Sequence, residues 1–278
     1  MGGNVAGKSI VITGAGSGFG RLVAKKAAAL GARVTCADIN LEAIEAVVAE
    51  IVAAGGTAQA VRTDVTIMAE MRALAQSAVR AYDAIDVMLN NAGIMPLAFF
   101  ADHEAALEAW DRCININFKG VMHGIIAVFD QMMAQGRGHV INMSSIYGNH
   151  PVVGAAVYGA TKSAVNFLSE SLRVEGRGRI KVTVVRPTGV PVTGLNATIV
   201  NQAAGIGILA HNMGEFTDMV MGLQDGTFPA ERLDQDNIDY ASLAPEHIAD
   251  AIIQAIDQPW GVSIAEVTVR AAGDYFIL

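Results

Sequence analysis

The chain has 278 residues, is 52% hydrophobic and 17% charged, and sets 27 acidic against 19 basic residues for a net charge of −8. That length and composition allow one large α/β domain with ample core material. The acidic balance, with no dense basic block, argues against a nucleic-acid partner, and no apolar run reaches the roughly 18 residues of a membrane span. The start, Met1-Gly2-Gly3-Asn4-Val5-Ala6, lacks the apolar stretch of a signal peptide and has Ala6 where a myristoylation motif wants Ser or Thr. Cys36 and Cys113 read as buried thiols in a reducing compartment rather than as a disulfide. These features predict a cytoplasmic protein with no membrane and no nucleic-acid partner.

Short apolar runs alternate with longer helical patterns. Strands are expected at 9–13, 33–37, 58–62, 85–89, 138–143, 180–185 and 266–269. Helices are expected from the first strand to Leu30, then at 41–54, at 67–81, in one long run ending near Met133, at 155–175 and at 245–257. Continuous apolar strands alternating with helices predict a doubly wound, seven-stranded parallel sheet covered on both faces. No repeat and no linker divides the chain, so a single domain over 1–278 is expected. An insertion at about 194–244 is expected before the last helix and strand.

The first strand runs into Thr13-Gly14-Ala15-Gly16-Ser17-Gly18-Phe19-Gly20. Glycines there permit a tight turn and a close approach of backbone to a pyrophosphate, at the positive end of the following helix. A glycine cluster alone is weak; at the first βα turn of a parallel pattern it reads as a dinucleotide site. Asp38 ends the second strand, eighteen residues after Gly20. Its carboxylate can accept from ribose hydroxyls and would repel a 2′-phosphate, and its neighbours Ile39 and Asn40 supply no cation. NAD is therefore expected over NADP. Asp38 can also be read as a helix cap, but Asn40 is better placed for that role.

Tyr158 and Lys162 stand four residues apart, with Ser145 upstream. Four residues make about one helical turn, so phenol and ammonium share a face. A cation beside a phenol favours phenolate, which would make a proton donor and acceptor usable near neutral pH. Tyr-x-x-x-Lys alone is weak, because a surface Tyr beside a solvated Lys is the commoner occurrence. No metal site is expected, since the six histidines show no ligand spacing. His139 reads as structural, and His150 lies in the loop between Ser145 and Tyr158.

Taken together, these residues resemble the short-chain dehydrogenase/reductase family over essentially the whole chain. The match begins with the glycine loop at 13–20 and continues through Asp64-Val65, similar to the family's adenine contact. Asn90-Asn91-Ala92-Gly93 resembles its Asn-Asn-Ala-Gly element. Asn117 falls where the family keeps a catalytic Asn, and with Ser145, Tyr158 and Lys162 completes a resemblance to its tetrad. The resemblance implies dinucleotide contacts at Gly14, Ser17, Gly18, Phe19, Gly20, Asp38, Asp64, Val65, Asn91, Tyr158, Lys162 and Val190. It further implies that Asn117 breaks the regular bonding of its helix and holds a water linked to Lys162, and that the protein is a homodimer or homotetramer. Two features depart from the family. Thr188 replaces a Gly in Pro187-Thr188-Gly189-Val190-Pro191-Val192-Thr193, where Pro191 also removes an N–H and Thr193 comes one place late. Phe19 stands where a smaller aliphatic is commoner, to pack on the cofactor or plug the core.

The implied activity is hydride transfer between a nicotinamide and a secondary alcohol or ketone. Substrate-contacting segments lie beyond the strand C-termini: 95–97, 146–153 and the insertion. Met213, Met219 and Met221 suit an adaptable apolar lid over a fairly apolar substrate, and equally suit ordinary helix packing or a subunit contact. The apolar tail 275–278 is expected to be buried, against a neighbouring subunit if not its own chain. The alternatives are an inactive NAD(P)-sensing regulator on the same fold, or an NADP-preferring carbonyl or 3-hydroxy-acid reductase.

Overall fold

The computed structural model describes residues 3–190 and 194–278. Seven strands, β1 (Ser9–Thr13), β2 (Arg33–Asp38), β3 (Thr57–Arg62), β4 (Val87–Asn90), β5 (Gly138–Met143), β6 (Ile180–Pro187) and β7 (Glu266–Val269), form one sheet in the order 3-2-1-4-5-6-7. Every pairing is parallel. β1, β4 and β5 are buried at every residue. This is why β1 and β4 read as mostly apolar runs rather than as alternating ones.

Successive side chains of a strand point to opposite faces, and the two cores divide accordingly. Ile10, Ile12, Val87 and Leu89 join α1 (Gly18–Ala29), α2 (Leu41–Ala53) and α9 (Pro245–Ile256) in one cluster. Val11 and Met88 join α3 (Met68–Tyr82), α5 (Gly120–Gln135) and α6 (Ala156–Glu175) in the other. The order reverses between β1 and β4, which leaves a crevice at their C-terminal ends, where open α/β sheets bind ligands.

The expected long helix before Met133 is not regular. It consists of α4 (His103–Cys113), a π-helical stretch Ile114–Lys119, and α5. The π stretch is only six residues long, too short for its wider turn to show in the hydrophobic periodicity. The part of the 194–244 region before α9 folds into short helical pieces, among them Gln202–Gly205, α7 (Ile206–Leu209) and α8 (Met213–Asp225). The tail expected to be buried packs against this same chain. Tyr275 lies in a cluster with Ile208, Leu209 and Met219, with Phe276 and Leu278 against it. Pro191 and Thr193 lie outside the described residues. No helix among the described residues is long and apolar enough to cross a membrane.

Candidate active site

The β1–α1 turn is shaped by close backbone approach. Gly14 has φ +65, a conformation that glycine adopts without penalty. A Cβ on Gly20 would lie 2.2 Å from the Gly14 carbonyl oxygen, so no other residue fits there. Asn91, just beyond β4, fastens this turn: its Nδ2 donates to the Thr13 and Gly14 carbonyls, each at 3.0 Å. Its N–H and that of Ala92 donate to Thr13 Oγ1 at 3.1 and 3.2 Å. Ser17 precedes α1 in extended conformation with no side-chain cap. A glycine-walled cradle at an uncapped helix start fits a pyrophosphate.

Asp38 sits at the end of β2 beside this cradle. Its Oδ2 accepts from Gly16 N–H at 3.2 Å and its Oδ1 from Asn40 N–H at 3.0 Å. The cap of α2 is Asn40, whose Oδ1 accepts from Ala43 N–H at 3.1 Å. Asp64 Oδ1 accepts from the Thr66 N–H and hydroxyl at 2.9 and 2.7 Å, holding the turn into α3. Val65 is buried, and its carbonyl meets His123 Nδ1 at 2.9 Å. Phe19 packs against the α1–α2–α9 core, and Val190 is a buried member of it.

Asn117, Ser145, Tyr158 and Lys162 are all buried. Asn117 lies in the π stretch and grips one residue of the β4–α4 loop twice. Its Oδ1 accepts from Ile94 N–H at 2.9 Å and its Nδ2 donates to the Ile94 carbonyl at 2.8 Å. Ser145 follows β5; its Oγ accepts from Tyr147 N–H at 3.2 Å, and its side chain favours the charged form of the Tyr158 phenol. Lys162 Nζ donates to the Met143 carbonyl at 2.8 Å and lies 5.7 Å from the centre of the Tyr158 ring.

The electrostatics correct one expectation. Burial pushes the Tyr158 phenol above its ordinary value, against the opposing effect of Ser145. Burial also brings the Lys162 ammonium down to about 8. Desolvation disfavours both charged forms. In the chain by itself it outweighs the lowering that an adjacent ammonium was expected to produce.

Three neighbours were not linked to these four residues by sequence reasoning: Thr161, Cys113, which it read only as a buried thiol, and Tyr147, which it placed in the substrate-side segment 146–153. Cys113 receives Asn117 Nδ2 at 3.3 Å, and Thr161 Oγ1 lies 3.4 Å from the same nitrogen. Tyr147 stands edge-on to Tyr158 at 5.5 Å between ring centres. Cys113 lies four residues before Asn117 and Thr161 three after Tyr158, so helical spacing is the signal that could have found them. His150 is exposed. His139 is a buried residue of β5 whose Nε2 meets Thr183 Oγ1 at 2.8 Å.

The 194–205 stretch closes one side of the site. Thr198 Oγ1 accepts from Met95 N–H at 2.8 Å, the Val200 and Asn201 N–H groups donate to the Leu97 carbonyl, and Asn201 Nδ2 donates to Asp102 Oδ2 at 2.9 Å. Ala204 and Ile199 share an apolar cluster with Tyr158, Leu97 and Ala155.

A glycine-walled turn at the sheet's reversal point and a buried group of Ser145, Tyr158 and Lys162 make up the candidate site. Residues 8–204 match the short chain dehydrogenase family, and the chain belongs to that family and is an oxidoreductase of it. An uncharacterized oxidoreductase of Listeria monocytogenes is 34% identical over 268 residues, covering 95% of this chain and 96% of that protein. A 2,5-dichloro-2,5-cyclohexadiene-1,4-diol dehydrogenase of Sphingobium indicum is 37% identical over 196 residues, covering 69% of this chain and 78% of its own. Among solved structures, a short chain dehydrogenase/reductase of Burkholderia phymatum in complex with NAD is 27% identical, with TM-score 0.75 over 95% of this chain and 89% of that one. A metagenomic short-chain oxidoreductase in complex with NADP is 29% identical, with TM-score 0.72 over 96% and 98%.

Proposed function

We propose that the protein is an NAD(H)-dependent dehydrogenase/reductase acting on a secondary alcohol or ketone of fairly apolar character. The observation that carries this reading is the burial of Ser145, Tyr158 and Lys162 together, with Lys162 Nζ 5.7 Å from the centre of the Tyr158 ring on the same helix face. Gly14, Ser17, Gly18, Phe19 and Gly20 would form the pyrophosphate turn, with Asp38 at the adenosine ribose, Asp64 and Val65 at the adenine, and Asn91, Lys162, Tyr158 and Val190 towards the nicotinamide end. The bound nicotinamide accepts a hydride in oxidation and supplies one in reduction.

The chain's own groups handle the proton and the orientation. Tyr158 gives its phenolic proton to the carbonyl oxygen in reduction and takes the hydroxyl proton in oxidation. Ser145 donates to the same substrate oxygen and fixes its position. Lys162, held by the Met143 carbonyl, lies where its charge favours phenolate once the site binds. Asn117 keeps the 94–99 wall in place through Ile94. Positioned acid–base groups contribute about 10²–10⁴-fold in rate. Apolar neighbours such as Leu97, Ile199 and Ala204 favour an apolar substrate body. The Asp38 carboxylate and the exposed apolar Ile39 beside it favour NAD over NADP.

We read the whole chain as one domain in which 194–244 serves as the substrate-side cover. Exposed apolar side chains on α4 and α6, Leu107, Phe167 and Val174, support a homodimer or homotetramer. The ring-diol dehydrogenase among the relatives adds cyclic alcohols and diols to the substrate panel.

The test is a turnover screen with NAD and NADP over secondary alcohols, cyclic diols and the matching ketones. Tyr158→Phe should lose at least about a hundredfold in kcat while keeping its affinity for NADH. Turnover near the wild-type level in that variant would reject the assignment of Tyr158. Nucleotide binding without turnover across the panel would favour a sensor.

A further inference from the structure

The last residues of the chain are held at many points. Arg270 pairs with both Asp274 oxygens at 3.1 and 2.6 Å and donates to the Phe276 and Leu278 carbonyls. The Tyr275 hydroxyl accepts from Arg232 Nη1 at 2.6 Å, and its carbonyl accepts from Asn212 Nδ2 at 3.0 Å. The Ile277 N–H donates to the Ile208 carbonyl at 3.0 Å. Phe216 of α8 stands 6.2 Å from the Tyr275 ring and 6.0 Å from the Phe276 ring. The tail is thereby fastened to the α7–α8 region.

The Phe276 ring also meets a second element. A Cβ built on Gly189 would lie 1.9 Å from Phe276 Cζ and 2.3 Å from Cε2. The ring fills the space that a side chain at 189 would need. Gly189 lies in the turn leaving β6, between Val190 and Thr188, whose hydroxyl donates to the Val269 carbonyl at 3.3 Å. One rigid ring therefore touches the cover of the substrate end and the turn assigned to the nicotinamide. Packed contacts of this kind do not stretch: a gap of half an ångström or more forfeits much of the attraction. Neither element can shift without uncovering Phe276.

We infer that Phe276 is a positioning residue that couples the order of segment 206–225 to occupancy of the nucleotide site, acting through Gly189 and Val190. The inference rests on the proposed placement of the nicotinamide beside Val190. The coupling is reciprocal: a nucleotide that orders the 188–190 turn steadies the 206–225 segment, and a steady segment tightens nucleotide binding.

Hydrogen exchange with and without NAD, on the full chain, tests it in wild type, Phe276→Ala and Phe276→Leu, with NAD affinity measured by calorimetry. In wild type, NAD should slow exchange in both 13–20 and 206–225. In Phe276→Ala, slowing at 13–20 should persist, slowing at 206–225 should vanish, and Kd should rise about fivefold or more. Phe276→Leu, which keeps an apolar side chain, should retain part of both effects. It carries the test with a smaller change in the same direction if the alanine variant does not fold. A folded variant in which NAD protects 206–225 as in wild type overturns the inference. So does a wild type protected at 13–20 but not at 206–225. Absence of protection at 13–20 in wild type would instead overturn the nucleotide-site reading, and this coupling with it.

Discussion

Lys162 holds its ammonium on the Met143 carbonyl at 2.8 Å while standing 5.7 Å from the centre of the Tyr158 ring. The two residues share a helix face, yet burial keeps the Tyr158 phenol protonated beyond its ordinary range. A protonated phenol is ready to give a proton to a carbonyl and must first lose one to accept from an alcohol. The kcat/KM for alcohol oxidation should therefore climb with pH over about 7 to 10, with no matching climb for ketone reduction. Both directions measured in one buffer series would check this. An oxidation profile flat over that range would contradict it.

Cofactor choice turns on Asp38. Asp38→Asn removes the charge and keeps one of the two acceptor oxygens that the Gly16 and Asn40 N–H groups use. Discrimination in favour of NAD, read as the ratio of kcat/KM values, should fall about tenfold, equivalent to roughly 1.4 kcal/mol. Adding Ile39→Arg at the exposed neighbouring position should move the ratio further towards NADP. An unchanged ratio in the double variant would remove the charge argument.

His139 should make the protein acid-sensitive. Thr183 Oγ1 donates its proton to the Ile264 carbonyl at 2.6 Å, so it accepts from His139 Nε2–H, and Nδ1 is left without a partner. Burial, with Lys181 and Lys8 nearby, holds the imidazole well below its ordinary value. A folded-state value depressed below the unfolded one means that the unfolded chain binds more protons in that window. The stability contributed by neutral His139 is complete above about pH 6.5 and declines as pH falls below it. His139→Gln should flatten the fall in melting temperature from pH 7 to pH 5. An equally steep fall in that variant would assign the effect elsewhere.

Asn117→Ala removes both bonds to Ile94, leaving the Ile94 N–H unpaired and its carbonyl with only the Cys113 thiol at 3.9 Å. A loss of about 1–3 kcal/mol in unfolding free energy is expected. Faster hydrogen exchange should be concentrated in 94–102, because the same loop carries the Met95 and Leu97 contacts to 198–201. A uniform change across the molecule would argue against a local role.

Much of the fold is legible in the residues. β1 and β4 announce themselves because a strand covered on both faces is mostly apolar, whereas β5 also buries His139 and Asn142. Gly14 and Gly20 announce the first turn because backbone there approaches backbone too closely for a side chain, and Gly18 because its φ of +50 favours glycine. Asn40 is recognisable as the α2 cap because a side-chain acceptor is needed just before the first turn. The π stretch around Asn117 is not legible in local periodicity; the family resemblance alone pointed to a break in regular bonding there. It arises where the Asn117 amide bonds Ile94, twenty-three residues away in the chain, and no local pattern encodes that partner. The 194–209 pieces are too short to show a period.

Residue order alone determined the alternation of strands and helices, the place of the glycine turn, and the presence of Ser145, Tyr158 and Lys162 at spacings that let them meet, because these follow from local geometry and burial. Only the tertiary structure decided the protonation balance at Tyr158, the grip of Asn117 on Ile94 and the seating of Phe276 on Gly189. Desolvation and close packing depend on what surrounds a group in three dimensions, and sequence-distant segments supply those surroundings.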